Sequence, residues 1–285
     1  MNLLITGSSG YIARRFIHNF NTQYTFDFFS LQTSSLESVA FTKIDAIVHC
    51  AALVHQKALY SQNEYDAINA EYPYQLAKKA KETGVKHFIF ISSVAVYQES
   101  ATINENTPCI PETPYGRSKL KGEELLSSLM DDTFVVSILR SPMVYGPNAP
   151  GNIASLLKLA RTVPILPFGE IKNSRTFVGI DNLTALMHTL LQKRSNGIFL
   201  AADDTPLSTT RLIQLIAKTL NKKIFLVRIP FFEMFLKSLK PSLYKKLYGN
   251  LHVDNTDTKT QLNFHNPYTT EEGIINMIRN ETPCH

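Results

Sequence analysis

The stretch LLITGSSGYIA, residues 3–13, joins an apolar run to a glycine-containing turn and then to the start of a helical pattern. LLIT has the composition of a β-strand, and YIARRFIHNF (11–20) has apolar residues at helical spacing. Gly7 permits a tight turn, and Gly10 lets a pyrophosphate approach the backbone where the helix presents free N–H groups. This placement predicts a dinucleotide site, and a plain strand–helix turn is the simpler alternative.

Strands and helices alternate through the first half of the chain. Strands are predicted at YTFDFF (24–29), AIVHCAA (46–52), HFIFISSVAVY (87–97) and FVVSILR (134–140), and helices at 64–84 and from Tyr115. The alternation predicts an α/β fold, a Rossmann-type doubly wound parallel sheet.

The character of the sequence changes after residue 150, where prolines and glycines interrupt shorter elements. We therefore expect a dinucleotide-binding domain at 1–150 and a smaller α/β C-terminal substrate-binding subdomain at 151–285. A strand near 197–203 is predicted to rejoin the sheet of the first domain. A helix at 181–194 is predicted to begin with Asp181 as its N-cap.

Composition limits the classes of function. The chain has 285 residues, 44% of them apolar, and a formal charge of +5. That excess suits an anionic ligand, but no basic run is long enough to follow a nucleic-acid backbone. The three cysteines have no spacing typical of disulfides or zinc, and we expect no metal. No apolar run is long enough for a membrane span and no signal peptide is evident, so we expect a cytoplasmic protein.

Two further patterns place polar side chains where chemistry can occur. In TPYGRSK (113–119), Pro114 suits a helix start, and Tyr115 and Lys119 then lie four residues apart on one face. A surface helix with both side chains in solvent is the alternative. FISSVAVY (90–97) puts Ser92 and Ser93 at the carboxyl end of a buried strand, where ligands of such sheets bind, unless they only satisfy local backbone groups.

Together, these strings resemble a known family, the extended short-chain dehydrogenase/reductases, also described as NAD-dependent epimerases/dehydratases. The resemblance rests on GSSGYIA, VHCAA (48–52), FISSVAVY, TPYGRSK and LRSPMVYGP (139–147). It continues through NSRTFVGIDNL (173–183) and a closing segment at 253–274. The strings AALVH (51–55), PGNIASLLKLA (150–160) and the stretch 164–183 most resemble UDP-4-keto-6-deoxy-N-acetylhexosamine 4-reductases and UDP-hexose 4-epimerases.

The resemblance implies three catalytic residues. Tyr115 is the implied acid/base, Lys119 tunes it and holds the nicotinamide ribose, and Ser93 binds the same substrate oxygen as Tyr115. A phenol ordinarily has a pKa of about 10, and the charges of Lys119 and an oxidised nicotinamide are expected to bring it toward neutrality.

The resemblance also implies binding residues. The cofactor set is Gly7, Ser9, Gly10, Tyr11, Ile12, Ser30, Ala51, Ala52, Asn69, Tyr115 and Lys119. The substrate set is Ser93, Asn152 and Arg175, and a plain surface position is an equal alternative for the last two. The cofactor is NAD or NADP, because no acidic residue ends the second strand. Arg14 and Arg15 on the first helix are the basic candidates for contact with a 2′-phosphate.

The implied function is hydride transfer at C4 of a nucleotide-activated hexose. We favour reduction of a UDP-4-keto-6-deoxy-N-acetylhexosamine, because Met143 stands where many 4-epimerases have asparagine. A 4-epimerase acting on UDP-glucose, UDP-N-acetylglucosamine or a polyprenyl-diphosphate-linked sugar is the alternative. A non-catalytic dinucleotide-binding scaffold or redox sensor is an alternative of another class. A homodimer is expected through the helices near 64–84 and 115–130.

The segment FFEMFLKSLKPSLYKKLYG (231–249) interleaves aromatic residues and leucines with lysines. The favoured interpretation is a helix pair, broken at Pro241, that packs on the substrate subdomain. The second hypothesis is peripheral contact with an anionic membrane surface.

Overall fold

The computed structural model describes residues 1–30, 36–54, 60–98 and 102–280. His55, which ends the AALVH string, and Cys284 lie outside the described residues.

The described residues form strands and helices that alternate along the chain. The strands are β1 (Asn2–Thr6), β2 (Thr25–Phe29), β3 (Ala46–His49), β4 (His87–Ser93), β5 (Thr102–Ile103), β6 (Val135–Ser141), β7 (Val144–Tyr145), β8 (Ile165–Leu166), β9 (Val178–Gly179), β10 (Gly197–Leu200), β11 (Phe225–Leu226) and β12 (His252–Val253). The α-helices are α1 (Tyr11–Phe20), α2 (Gln62–Asp66), α3 (Tyr72–Glu82), α4 (Pro114–Ser127), α5 (Asn152–Thr162), α6 (Ile180–Lys193), α7 (Thr209–Thr219), α8 (Phe232–Leu239), α9 (Pro241–Tyr248), α10 (Thr256–Leu262) and α11 (Thr270–Arg279).

The central sheet has six strands in the order β10-β6-β4-β3-β1-β2, and every neighbouring pair is parallel. The chain starts at β1, pairs β2 on one side and then crosses to place β3 on the other side. The strand order therefore reverses between β1 and β3, which is where open sheets of this kind bind ligands. The Rossmann-type parallel sheet predicted from the sequence is confirmed.

Two apolar cores cover the two faces of this sheet. Phe88 and Phe90 of β4 pack in the core with α3 and α4, whereas Ile89 and Ile91 pack in the core with α1 and α6. This division follows from the strand period of two, which sends successive side chains to opposite faces. Strands buried on both faces are nearly continuous apolar runs, as FIFI at 88–91 is.

The helix predicted at 64–84 is interrupted in the structure. A capping box between Ser61 and Glu64 starts α2, a π-helical turn follows at Ala67–Glu71, and α3 continues to Glu82. The π-turn contains Asn69, which is fully buried. Such turns are rare and are frequent at functional sites.

Several boundaries differ from the sequence predictions. AIVHCAA leaves the sheet after His49, and the strand from His87 ends at Ser93, where a 3₁₀ turn at Val94–Val96 begins. The N-cap of α6 is Gly179, so the prediction for Asp181 was wrong. Asp181 instead accepts hydrogen bonds from Arg15 of α1 at 2.7 and 2.9 Å. β10 pairs with β6, and the division of the chain at residue 150 stays a prediction.

Candidate active site

The turn between β1 and α1 brings the backbone close to the loop after β3. Gly7 has a φ of +67°, and a Cβ there would lie 2.7 Å from the backbone N and Cα of Ala51. Any side chain would therefore both strain the turn and collide with the neighbouring loop. The Gly10 N–H donates to the Gly7 carbonyl at 2.8 Å, and Gly10 caps α1 with no side chain. The helix thus presents its first N–H groups to an anion.

A cleft of about 650 Å³ opens at this turn, at the carboxyl ends of β1, β2 and β3. It is lined by the predicted cofactor residues Gly7, Ser9, Gly10, Tyr11, Ile12, Ser30, Ala51 and Ala52. It is also lined by residues that sequence reasoning missed: Ser8, Ala13, Phe29, Cys50, Leu53, Val54, Ile68, Tyr72, Val144 and Pro150. Position just after a strand could have identified Cys50 and Leu53, but nothing local marks Tyr72 or Val144.

Asn69 acts behind the cleft wall. Its amide nitrogen donates to the Leu53 carbonyl at 2.9 Å and to Ser118 Oγ at 3.0 Å, while its Oδ1 accepts from the Leu53 N–H at 2.7 Å. Asn69 therefore ties the loop after β3 to helix α4. This arrangement is compatible with the prediction that Asn69 anchors the cofactor side of the site, and that role stays a prediction.

Tyr115 lies in the first turn of α4. Thr113 caps this helix by accepting from the Gly116 N–H at 3.0 Å, and Pro114 is its first residue. Burial raises the pKa of Tyr115 to about 12, and a hydrogen bond from Ser93 acts to lower it. Ser93 Oγ also accepts from the Ala95 N–H at 3.1 Å. The end of β4 and the start of α4 therefore bring Ser93 and Tyr115 together.

Lys119 is fully buried one turn further along α4. Its Nζ lies 3.7 Å from the centroid of the Phe90 ring, and among the described residues it has no hydrogen-bond partner. Burial lowers the pKa of Lys119 to about 7, while Glu123 and Cys50 act to raise it. The expected lowering of the Tyr115 pKa by Lys119 is not found, because burial dominates and the modifying groups are Ser93 and Tyr65.

A buried ionic network lies beside this pair. Arg140 of β6 donates from Nε to both carboxylate oxygens of Glu123 at 3.1 Å, and from Nη1 to the Tyr97 phenol oxygen at 2.5 Å. Ser92 also donates to Glu123. Glu123 lies on α4 one turn after Lys119, so the network fixes the helix that carries Tyr115 and Lys119 against the sheet.

Several predicted site residues do not line the cleft: Asn69, Ser93, Tyr115, Lys119, Asn152 and Arg175. Asn152 is exposed at the start of α5. Arg175 is partly buried, and its Nη1 donates to the carbonyls of Lys245 and Gly249 at 3.2 and 3.1 Å. Arg15 forms an ion pair with Asp181, and its contact with a 2′-phosphate stays a prediction. Arg14 is exposed on α1.

A nicotinamide dinucleotide fits the residues present. The glycine turn lines the cleft and caps α1 without a side chain, which suits a pyrophosphate. Among the described residues the buried Lys119 ammonium has no hydrogen-bond partner, and ribose hydroxyls would supply acceptors. The fold and this cleft define a dinucleotide-binding α/β protein.

The comparisons identify the family. The model of the NAD dependent epimerase/dehydratase family matches residues 3–202. The chain belongs to this family, whose members are NAD-dependent enzymes that act on nucleotide sugars.

Similar proteins cover the whole chain. It is 30% identical over 305 residues to a UDP-glucose 4-epimerase of Vibrio cholerae, covering 96% of this chain and 93% of that protein. It is 23% identical to the N-acetyl-α-D-glucosaminyl-diphospho-ditrans,octacis-undecaprenol 4-epimerase of Escherichia coli O157:H7, covering 98% and 95%. The structure of UDP-glucuronic acid 4-epimerase from Bacillus cereus with NAD has a TM-score of 0.77 at 20% identity, covering 98% of each chain.

Proposed function

We propose that this protein is an NAD(P)-dependent 4-epimerase of a nucleotide-diphosphate hexose. The proposal is carried by the hydrogen bond between Ser93 and Tyr115 and by the buried Lys119 ammonium, which has no hydrogen-bond partner among the described residues. Lys119 interacts with Cys50, which lines the glycine-turn cleft, and β4, which ends at Ser93, pairs with β3 next to that cleft. The full-length similarity to a UDP-glucose 4-epimerase supports C4 as the reacting position.

In this mechanism Tyr115 is the acid/base. Its phenolate takes the proton of the C4 hydroxyl. Its phenol returns that proton to the same oxygen when hydride comes back to the opposite face of C4. Ser93 donates to the phenolate or to the substrate oxygen, which favours the charged form of each. Bound NAD(P) supplies the chemistry of accepting and returning the C4 hydride.

Lys119 has two tasks in the proposal. Its ammonium would donate to the nicotinamide ribose hydroxyls, and its charge would stabilise the Tyr115 phenolate. Because burial brings the Lys119 pKa to about 7, acceptors that bind next to Nζ would favour the charged form. The pKa of Tyr115, about 12 in the protein alone, would fall in the same complex.

Reduction of a 4-keto sugar is the second candidate, favoured by Met143 at the position noted above. Met143 is partly buried and packs in the apolar cluster of the C-terminal half. The two reactions share the acid/base step and differ in their use of cofactor. An epimerase regenerates its oxidised nicotinamide in every turnover, whereas a reductase consumes one reduced nicotinamide for each product.

Substrate assays separate these candidates. Purified protein is incubated with UDP-glucose or UDP-N-acetylglucosamine and, separately, with UDP-4-keto-6-deoxy-N-acetylglucosamine and a reduced nicotinamide. We expect interconversion of the C4 epimers, measured by NMR, with no net change in reduced-nicotinamide absorbance. If the reduced-nicotinamide absorbance instead falls stoichiometrically with the keto sugar, and the UDP-hexoses are not interconverted, the protein is a reductase.

The acid/base assignment is tested with Tyr115→Phe. We expect turnover to fall about a hundredfold to ten-thousandfold, the usual contribution of general acid–base catalysis. Tyr74→Phe on α3 makes the same chemical change away from the cleft and should retain activity. Full turnover by Tyr115→Phe would reject the mechanism and leave a dinucleotide-binding role.

A further inference from the structure

Helix α8 presents an apolar stripe to the outside of the protein. Only Leu236 of this helix is buried, at 4% exposure. Phe231, Met234, Phe235 and Leu239 are 78, 64, 54 and 64% exposed. Met234, Phe235 and Leu239 are exposed residues of α8, and Phe231 stands directly before the helix as its N-cap, with a left-handed φ of +62°. Phe232 packs against an apolar core cluster and Leu236 is buried. The favoured interpretation of this segment as a core-facing helix pair therefore explains only part of its apolar residues.

The segment that carries the stripe also concentrates the positive charge of the protein. Residues 222–246 contain seven lysines and arginines and one acidic residue, a formal charge of +6, whereas the whole chain carries +5. The remainder of the chain is thus slightly negative. Within this segment Arg228 and Lys245 form ion pairs with Glu170 and Glu112. Lys237 on α8 and Lys240 at its end flank the stripe, and no ion pair is found for either among the described residues. Glu233 accepts from the Tyr244 phenol at 3.2 Å.

We propose that the α8 stripe docks on the surface of an anionic lipid bilayer. The exposed aromatic, methionine and leucine side chains would enter the boundary between headgroups and acyl chains, and the lysines would remain at the phosphates. Within the described residues no helix is long and apolar enough to cross a bilayer, so the contact is peripheral.

The charge pattern favours this occupant over two others. Nucleic acid would satisfy the lysines but offers no apolar phase to the stripe. A second copy of the chain, packed across a twofold axis, would bring the basic segment against itself and oppose like charges. An anionic bilayer complements both the apolar and the basic part of the surface.

Vesicle flotation tests the inference and reads binding alone, so its result is independent of the proposed function. We expect the wild-type chain to float with vesicles of phosphatidylcholine and phosphatidylglycerol and to stay behind with vesicles of phosphatidylcholine only. The triple change M234S/F235S/L239S should lower the partition coefficient at least about a hundredfold, because each side chain gives up its apolar transfer. K237Q and K240Q should each lower it about fivefold.

Matched controls remove exposed apolar or basic residues elsewhere. F28S/I198S changes exposed side chains on the two edge strands of the sheet, and K43Q/K158Q removes two exposed lysines. These variants should bind as the wild type does. Circular dichroism verifies the fold of each variant, and the lysine variants remain informative if the triple variant does not fold.

Three results would overturn the proposal. The first is failure of the wild type to bind anionic vesicles, and the second is equal binding of the stripe and control variants. The third is a wild-type dimer in sedimentation that the triple change dissociates, without vesicle binding, which would make a second copy the occupant.

Discussion

Lys119 and Arg140 are two buried cations on neighbouring elements, and their surroundings differ. The Arg140 guanidinium donates to Glu123 and Tyr97 and stacks over the Tyr97 ring at 4.9 Å. The Lys119 ammonium faces the Phe90 ring and has no acceptor among the described residues. Burial acts to lower the pKa of Arg140, but the bond to Glu123 raises it, whereas burial lowers the pKa of Lys119 to about 7.

This difference indicates a structural role for Arg140 and a ligand-binding role for Lys119. A buried charge that is fully paired holds elements together, and a buried charge without acceptors costs stability unless something else supplies them. The cost is tolerable at a site whose ligand brings the missing acceptors, which is why perturbed pKa values collect at functional sites.

The largest stability effect is expected where the paired cation is broken. Glu123→Ala leaves Arg140 buried and unpaired and should lower the free energy of unfolding by about 3–5 kcal/mol. Glu124→Ala, an exposed neighbour on α4, should change it by no more than about 0.5 kcal/mol. Urea denaturation followed by circular dichroism measures both, and equal stabilities would deny the network its structural role.

Removing the partnerless cation should have a different outcome. Lys119→Met keeps the apolar stem, leaves no carboxylate stranded and should not destabilise the protein at neutral pH. It should weaken NAD(P) binding about tenfold to a hundredfold, the value of hydrogen bonds from a charged donor. Calorimetric titration measures the affinity, and unchanged binding would place Lys119 outside the cofactor site.

The pH dependence of stability sharpens the same contrast. Burial lowers the pKa of Lys119 from its ordinary value of 10.5 to about 7 in the folded protein, so the unfolded chain binds more protons between these values. Its unfavourable contribution is complete below pH 7 and is relieved as the pH rises toward 10.5.

Relative to Lys119→Met, the wild type should therefore gain about 2 kcal/mol of stability between pH 7 and pH 9. Denaturation curves of both proteins at the two pH values measure the difference, and other titrating groups cancel in the comparison. A difference that does not change with pH would mean that Lys119 remains charged in the fold.

A partly exposed ion pair should give the smallest effect. Arg15 and Asp181 join α1 to α6 with side-chain exposures of 25 and 18%, and Asp181→Asn should cost about 1 kcal/mol. In the more exposed pair Arg211–Glu271, Glu271→Gln should cost no more than about 0.5 kcal/mol. Thermal melts rank the two, and a reversed order would show that burial does not set the strength of these pairs.

Local patterns predicted much of the fold and less of the site. The glycine turn, the buried strands and the Pro-Tyr start of α4 are local features, and the structure contains each of them. The π-turn at Asn69 was missed because its cause is distant: Asn69 bonds to Leu53 and Ser118, which lie 16 and 49 residues away. Asp181 was misassigned for the same reason, since its partner Arg15 is 166 residues distant.

Periodicity and turn chemistry act over a few residues, so the order of residues alone was enough for the parallel sheet, the glycine turn and the face shared by Tyr115 and Lys119. Burial and pairing depend on residues that are far apart in the chain. Only the tertiary structure shows that Lys119 has no acceptor within the described part of the chain, that Arg140 has several, and that α8 exposes apolar side chains. The physical reason is desolvation. The free energy of a buried charge or of an apolar side chain depends on the groups that replace water around it, and those groups come from distant parts of the chain.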